Sequence, residues 1–173
     1  WSSDVCFSDL DAFGQYLGQN KVLSFYSGTA ALHTALACLE LKPGDEVIST
    51  PMTAEPTNLA ILHAGGKVVW ADVERRNGNI DPDSIERAIG PRTRAIMAVH
   101  YGGIPVQINK LKHLSEKHGI PVIEDAAHAF GARYAGEKIG GHSRFVMFSL
   151  QAIKHLTTVD GGMLAFQNSG DLE

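Results

Sequence analysis

The chain has 173 residues, 44% of them hydrophobic and 20% charged, with a formal net charge of −4 and no basic run or acidic tail. That is enough for one domain of ordinary size, and it argues against a nucleic-acid or anionic-membrane partner. Cys6 and Cys38 form no CxxC and no metal-ligand spacing, no apolar run approaches the roughly 18 residues of a membrane span, and no signal peptide is visible, so no metal is expected and a reduced, cytoplasmic setting is.

Residues 1–10, Trp-Ser-Ser-Asp-Val-Cys-Phe-Ser-Asp-Leu, fit nothing that follows and read as a non-native, adapter-like segment. The alternative is a native helix start capped by Ser8 or Asp9. Residues 11–17 read as the tail of a helix stopped at Gly18, and 21–25 as a short strand. Ser27-Gly28-Thr29-Ala30-Ala31-Leu32 then opens a helix to about Leu39, with Ser27 or Gly28 as its cap. A strand that feeds a small-residue turn into a helix start leaves free amides and the positive end of the dipole pointing at one place, a ready anion site. The plain alternative is an N-cap and nothing more.

Residues 46–50 form a strand rich in β-branched side chains. A helix follows to about Ala64 and stops at Gly65-Gly66. Residues 67–71 are a strand, with Asp72 at its end in a turn role. Asp81 caps a helix with Pro82 in its first position. Residues 94–99 make the next strand, closed by His100, which reads as a packed loop histidine. Residues 106–118 form a helix with Leu111, Leu114 and the stem of Lys110 on one face, ended by Gly119.

Two later stretches carry chemistry. Residues 120–124 are an apolar strand that delivers Asp125 at its carboxyl end, with His128 about one helical turn on. After a loop with a short hairpin at 133–138, residues 145–148 form a second apolar strand. It runs into Ser149-Leu150-Gln151-Ala152-Ile153-Lys154-His155-Leu156-Thr157-Thr158-Val159-Asp160-Gly161-Gly162, and residues 162–166 make a further strand. Strands alternating with helices predict an α/β, three-layer fold: a mostly parallel sheet flanked by helices. Ligands of such sheets bind beyond the carboxyl ends of the strands. An aspartate and a lysine both stand there. HExxH, GxSxG and GxGxxG patterns are absent, so zinc-protease, hydrolase and dinucleotide readings have no support.

A lysine that forms a Schiff base and an acid that keeps a pyridinium nitrogen protonated are what pyridoxal 5′-phosphate (PLP) requires. Glu124-Asp125-Ala126-Ala127-His128-Ala129, followed by residues 148–162, resembles the DegT–StrS family of PLP-dependent sugar aminotransferases, and the likeness extends over about residues 11–167. It implies the large domain of a fold-type-I, aspartate-aminotransferase-like enzyme. Residues 11–173 would then be part of that domain, with the C-terminal small domain absent.

The resemblance further implies that Lys154 holds PLP and moves the proton, and that Asp125 partners the ring nitrogen. It places His128 near the ring and its 3-hydroxyl, where the family uses Gln or His. Gly28, Thr29, Ala30 and Ser149 would bind the phosphate, with Gln151 close by; Thr157 is structural. The implied reaction is transfer of an amino group from L-glutamate to a nucleotide-linked keto sugar, in deoxy-amino-sugar biosynthesis for a polysaccharide or natural product, by a cytoplasmic homodimer. Ala54 departs from the pattern: the family commonly has a bulky or aromatic residue there, stacked on the ring. Three alternatives stay open. The first is a sugar dehydratase of the same fold, which carries His in place of the lysine. The second is a lyase or desulfurase of that fold. The third is a non-catalytic PLP- or sugar-nucleotide-binding protein or an inactive fragment.

Overall fold

The computed structural model describes residues 3–19 and 21–167, with side chains from residue 9 onward. The reading of residues 1–10 as non-native falls mostly on side chains outside the described residues.

The elements follow the predicted alternation. They are α1 (Ser3–Leu17), β1 (Val22–Phe25), α2 (Gly28–Ala37), β2 (Glu46–Ser49), α3 (Glu55–His63), β3 (Lys67–Trp70), α4 (Pro82–Ala88), β4 (Thr93–Val99), α5 (Ile108–His118), β5 (Val122–Asp125), the hairpin β6 (Arg133–Tyr134) and β7 (Glu137–Lys138), β8 (Phe145–Ser149) and β9 (Gly162–Phe166). Cap chemistry sets several boundaries. Ser27 Oγ accepts from the Ala30 amide at the head of α2, and Asp81 accepts from the Asp83 amide at the head of α4, with Pro82 in the first turn. Gly119 closes α5 in the left-handed region (φ 66°). The helix predicted from residue 106 begins two residues later, at Ile108. Lys110 does not share the buried face of α5: it is exposed, and Ile108 joins Leu111 and Leu114 there instead.

The seven long strands form one sheet in the order β1-β9-β8-β5-β4-β2-β3. The pairs β2–β3, β2–β4, β4–β5 and β5–β8 are parallel, whereas β9 runs antiparallel to both neighbours. Strand β9 reverses because residues 150–161 form turns and bends with no crossover helix, so the chain can only fold back beside β8.

Strand alternation divides the core in two. Val47, Ala95, Met97, Ile123, Phe145 and Met147 face Leu32, Leu36 and Ile61 of α2 and α3. Ile48, Ile96, Ala98, Val122, Val146 and Phe148 belong to the other cluster, with Phe13 and Leu17 of α1, Ile85 of α4 and Leu111 of α5. The sheet is thus covered on both sides, as parallel sheets require. Among the described residues no helix is long and apolar enough to cross a membrane.

Candidate active site

Strand order brings the two chemical stretches together. Strands β5 and β8 are neighbours, with Asp125 paired to Met147. The carboxylate at the end of β5 therefore lies beside the loop that leaves β8 with Lys154. Strand β9 completes the arrangement from the other side. Because it is reversed, its first residue, Gly162, faces the turn that leads into α2. A Cβ on Gly162 would lie 2.5 Å from the Ser27 carbonyl oxygen and 2.6 Å from the Gly28 nitrogen. Only glycine admits that approach.

These pieces line a cavity of about 240 Å³ that includes Gly28, Thr29, Asp125, Ser149, Gln151 and Lys154. Its remaining wall comes from the start of α3, with Ala54, Pro56 and Thr57, and from Asp160. A larger groove of about 760 Å³ lies at the opposite end of the sheet, along α5 and residues 141–144. It is remote from the carboxyl ends of the parallel strands, so the smaller cavity is the better candidate.

Asp125 is buried, with 5% of its surface exposed, and both oxygens are engaged. Oδ1 accepts the Ala127 amide at 3.0 Å, and Oδ2 accepts the Thr57 hydroxyl at 2.7 Å. Thr57 in turn lies 2.9 Å, oxygen to oxygen, from Thr53. Lys154 is half-buried. Its loop is braced by Thr157, whose hydroxyl donates to the Leu150 carbonyl and accepts from the Val159 amide, both at 3.0 Å.

At the head of α2 the amides of Gly28 and Thr29 have no partner among the described residues, whereas the Ala30 amide is committed to Ser27 Oγ at 3.2 Å. Ala30 is also not among the residues lining the cavity. Gly28 is packed so closely that a Cβ would meet Met147 Sδ at 2.9 Å and Ser149 Cβ at 3.3 Å. Two open amides, a serine hydroxyl and a helix N-terminus make a donor set suited to a phosphate, and the lysine and buried carboxylate beside them suit the rest of PLP.

His128 lies on the exposed side of this group. Burial lowers its imidazole below the ordinary value and the positive charge of Lys154 lowers it further, against an opposing pull from Asp125. It is electrostatically linked to both residues without lining the cavity. Ala54 presents only a methyl group to the wall. His100 is buried away from solvent against Glu124, and Asp72 sits in a surface loop where its amide is held by Ser84. Thr57 was not singled out from the sequence. Its signal was a polar residue at the position shared with Ala60 and Ile61 on the buried face of α3.

A seven-stranded sheet with one reversed strand, carrying a lysine and an aspartate at adjacent strand ends, is the architecture of PLP-dependent aminotransferases. The chain belongs to the DegT/DnrJ/EryC1/StrS aminotransferase family, whose model matches residues 10–172. The cofactor of that family is PLP. An uncharacterised protein of Methanocaldococcus jannaschii is 41% identical over 158 residues, 91% of this chain and 41% of its own length. An aminotransferase from Psychrobacter cryohalolentis superposes with a TM-score of 0.96 at 32% identity, over 99% of this chain and 44% of its own. The Helicobacter pylori aminotransferase PseC, involved in the biosynthesis of pseudoaminic acid, superposes at 0.92 with 33% identity, over 96% of this chain and 45% of its own. The chain therefore spans less than half the length of the relatives it matches.

Proposed function

We propose that the protein carrying this chain is a PLP-dependent aminotransferase that moves an amino group from L-glutamate to a nucleotide-linked keto sugar. The observation that carries this reading is the meeting of Lys154, Asp125 and the open amides of Gly28 and Thr29 around one cavity, in a chain of this family. A relative that acts in pseudoaminic acid biosynthesis supports a sugar as the amino acceptor.

Each side chain has a definable task. The amides of Gly28 and Thr29, with the Ser149 hydroxyl, donate to phosphate oxygens. The Asp125 carboxylate places negative charge at the ring nitrogen and holds its proton there. Bound PLP supplies an electron sink for the carbon that loses a proton. Lys154 would hold the cofactor, and its Nζ, as a free amine, would take the α-proton of the amino donor. His128, at the exposed side of the group, would meet the 3-hydroxyl or the substrate.

The same reading takes the protein to be a cytoplasmic homodimer whose sites draw on both subunits. Large exposed side chains next in sequence to cavity-lining residues support this: Tyr26, beside Ser27, is 83% exposed, Ile153, beside Lys154, 82% and Val159, beside Asp160, 79%. The decisive experiment uses the full-length protein. Borohydride reduction followed by peptide mapping should place PLP on Lys154, and glutamate with a keto-sugar nucleotide should give an amino sugar and 2-oxoglutarate. Bound PLP without turnover on any keto sugar would favour a binding protein instead.

A further inference from the structure

The hydroxyl of Thr57 is 2.7 Å from Asp125 Oδ2, across 68 positions of sequence, with Thr57 only 2% exposed. A hydroxyl has one proton to give. Thr57 gives it to Asp125, so in the 2.9 Å contact with Thr53 it must be the acceptor and Thr53 the donor. The result is a directed chain, Thr53 to Thr57 to Asp125. The Ala127 amide fixes the other oxygen from the opposite side. A carboxylate held at both oxygens cannot turn about its Cβ–Cγ bond, and each oxygen keeps a second lone pair for another donor. The start of α3, which forms the cavity wall at Ala54 and Thr57, is thereby fastened to the end of β5.

We propose that Thr57 is a positioning residue. It sets the plane in which the Asp125 carboxylate meets the ring nitrogen of PLP, and Thr53 holds the Thr57 hydroxyl in the donating orientation. This rests on the functional reading above and adds to it a residue outside the lysine–aspartate pair. Neither threonine needs to touch the reacting atoms. Their contribution is to make the carboxylate rigid before the cofactor arrives, so that binding does not have to order it.

The test is a double-mutant cycle in the full-length protein, read by PLP affinity from absorbance titration and by the kcat–KM split. Thr57→Val keeps shape and removes the hydroxyl. The PLP dissociation constant should rise about three- to tenfold, the cost of ordering one side chain. The value of kcat should fall more than KM changes, because the carboxylate is misaligned rather than missing. Thr57→Ser should restore both. Thr53→Val should show a smaller effect of the same kind, and it guards against a Thr57→Val protein that does not fold.

Adding Thr57→Val to Asp125→Ala should change nothing further, since there is then no carboxylate to position. Equal losses in the wild-type and Asp125→Ala backgrounds would mean a general packing role and would overturn the proposal. So would a Thr57→Val protein with unaltered PLP affinity and kcat. If the wild-type protein itself takes up no PLP, the functional reading fails and this inference with it, a result distinguishable from failure of the cycle alone.

Discussion

His100 Nε2 stands 2.7 Å from Glu124 Oε2, with neither side chain exposed to solvent. The other ring nitrogen, Nδ1, accepts the Val106 amide at 3.2 Å, so the imidazole proton sits on Nε2 and is donated to the carboxylate. Burial is the largest single influence and raises the Glu124 carboxyl, but the hydrogen bond and charge of His100, joined by smaller contributions from Ser143 and His142, together hold it below its ordinary value. The pair ties β4, β5 and the loop before α5 together. It also borders the site, because Glu124 precedes Asp125 and the His100 amide donates to the Asp125 carbonyl at 3.1 Å.

Removing one partner should therefore cost far more than a surface change. His100→Ala takes from a wholly buried carboxylate its 2.7 Å histidine partner and should destabilise the protein by about 3–5 kcal/mol, measured by denaturant unfolding. The pH dependence has a definite sign. A carboxyl lowered in the folded state adds stability above its unfolded value near 4.5, and loses it as pH falls through the folded value. Glu124→Gln should flatten the acid limb of the unfolding curve by up to one proton. An unchanged limb would show that Glu124 does not contribute to it.

Lys154→Ala should abolish covalent attachment of PLP, since Lys154 is the lysine among the residues lining the cavity with Asp125. Residual binding through phosphate contacts should remain, weaker and reversible. Borohydride reduction of the wild-type protein, then mass mapping, checks the assignment; a label on Lys21 or Lys138 would overturn it.

Asp125→Asn should lower turnover by orders of magnitude while PLP stays bound. An amide supplies no negative charge to hold the ring-nitrogen proton, yet the phosphate donors and the lysine are untouched. Near-wild-type transamination by the full-length variant would remove Asp125 from its assigned role.

Which parts of this were legible in the sequence follows from distance along the chain. Asp125 and Lys154 stood out because each follows a short apolar strand, a local pattern. The Ser27 and Asp81 caps and the Gly119 stop were equally local. Partnerships across the sheet were not legible. Nothing in residues 53–58 announces that Thr57 reaches Asp125, and nothing at residue 100 names Glu124, because strand order and register create both contacts. The reversal of β9 was hidden as well, since an apolar strand reads the same in either direction. Spacing alone puts Lys110 close to the face of Leu111 and Leu114, one turn before Leu114, but the buried positions of α5 are Ile108, Leu111 and Leu114 and the lysine stem turns to solvent.

His128 should titrate below the ordinary histidine range, and Lys154 is one reason. Burial comes first and the lysine charge second, with Asp125 pulling the other way. A lowered histidine favours the neutral ring in the folded state. It therefore adds stability above the unfolded value near 6.5 and loses it as pH falls through the folded value. Lys154→Met should raise the midpoint seen by NMR of the His128 ring, and Asp125→Asn should lower it further. A midpoint insensitive to both would mean that His128 is not electrostatically part of this group.

Gly162→Ala tests how the phosphate site is built. The added methyl would meet the Ser27 carbonyl oxygen at 2.5 Å and the Gly28 nitrogen at 2.6 Å, both of them backbone atoms that cannot rotate away. Either β9 or the head of α2 must move. Strand β9 is paired on both sides, with Phe25 and Ser149 opposite Gly162, so the α2 turn should yield. The expected cost is about 1–3 kcal/mol of stability, as for other overpacked sites. PLP affinity should also fall, by about tenfold if one charge-assisted amide contact to phosphate is lost. Gly90→Ala is the control: a Cβ there meets nothing within 4 Å, so stability and PLP binding should both hold. If Gly162→Ala weakens the fold but leaves PLP affinity unchanged, the amides of Gly28 and Thr29 do not hold the phosphate, and that group must be sought elsewhere in the cavity.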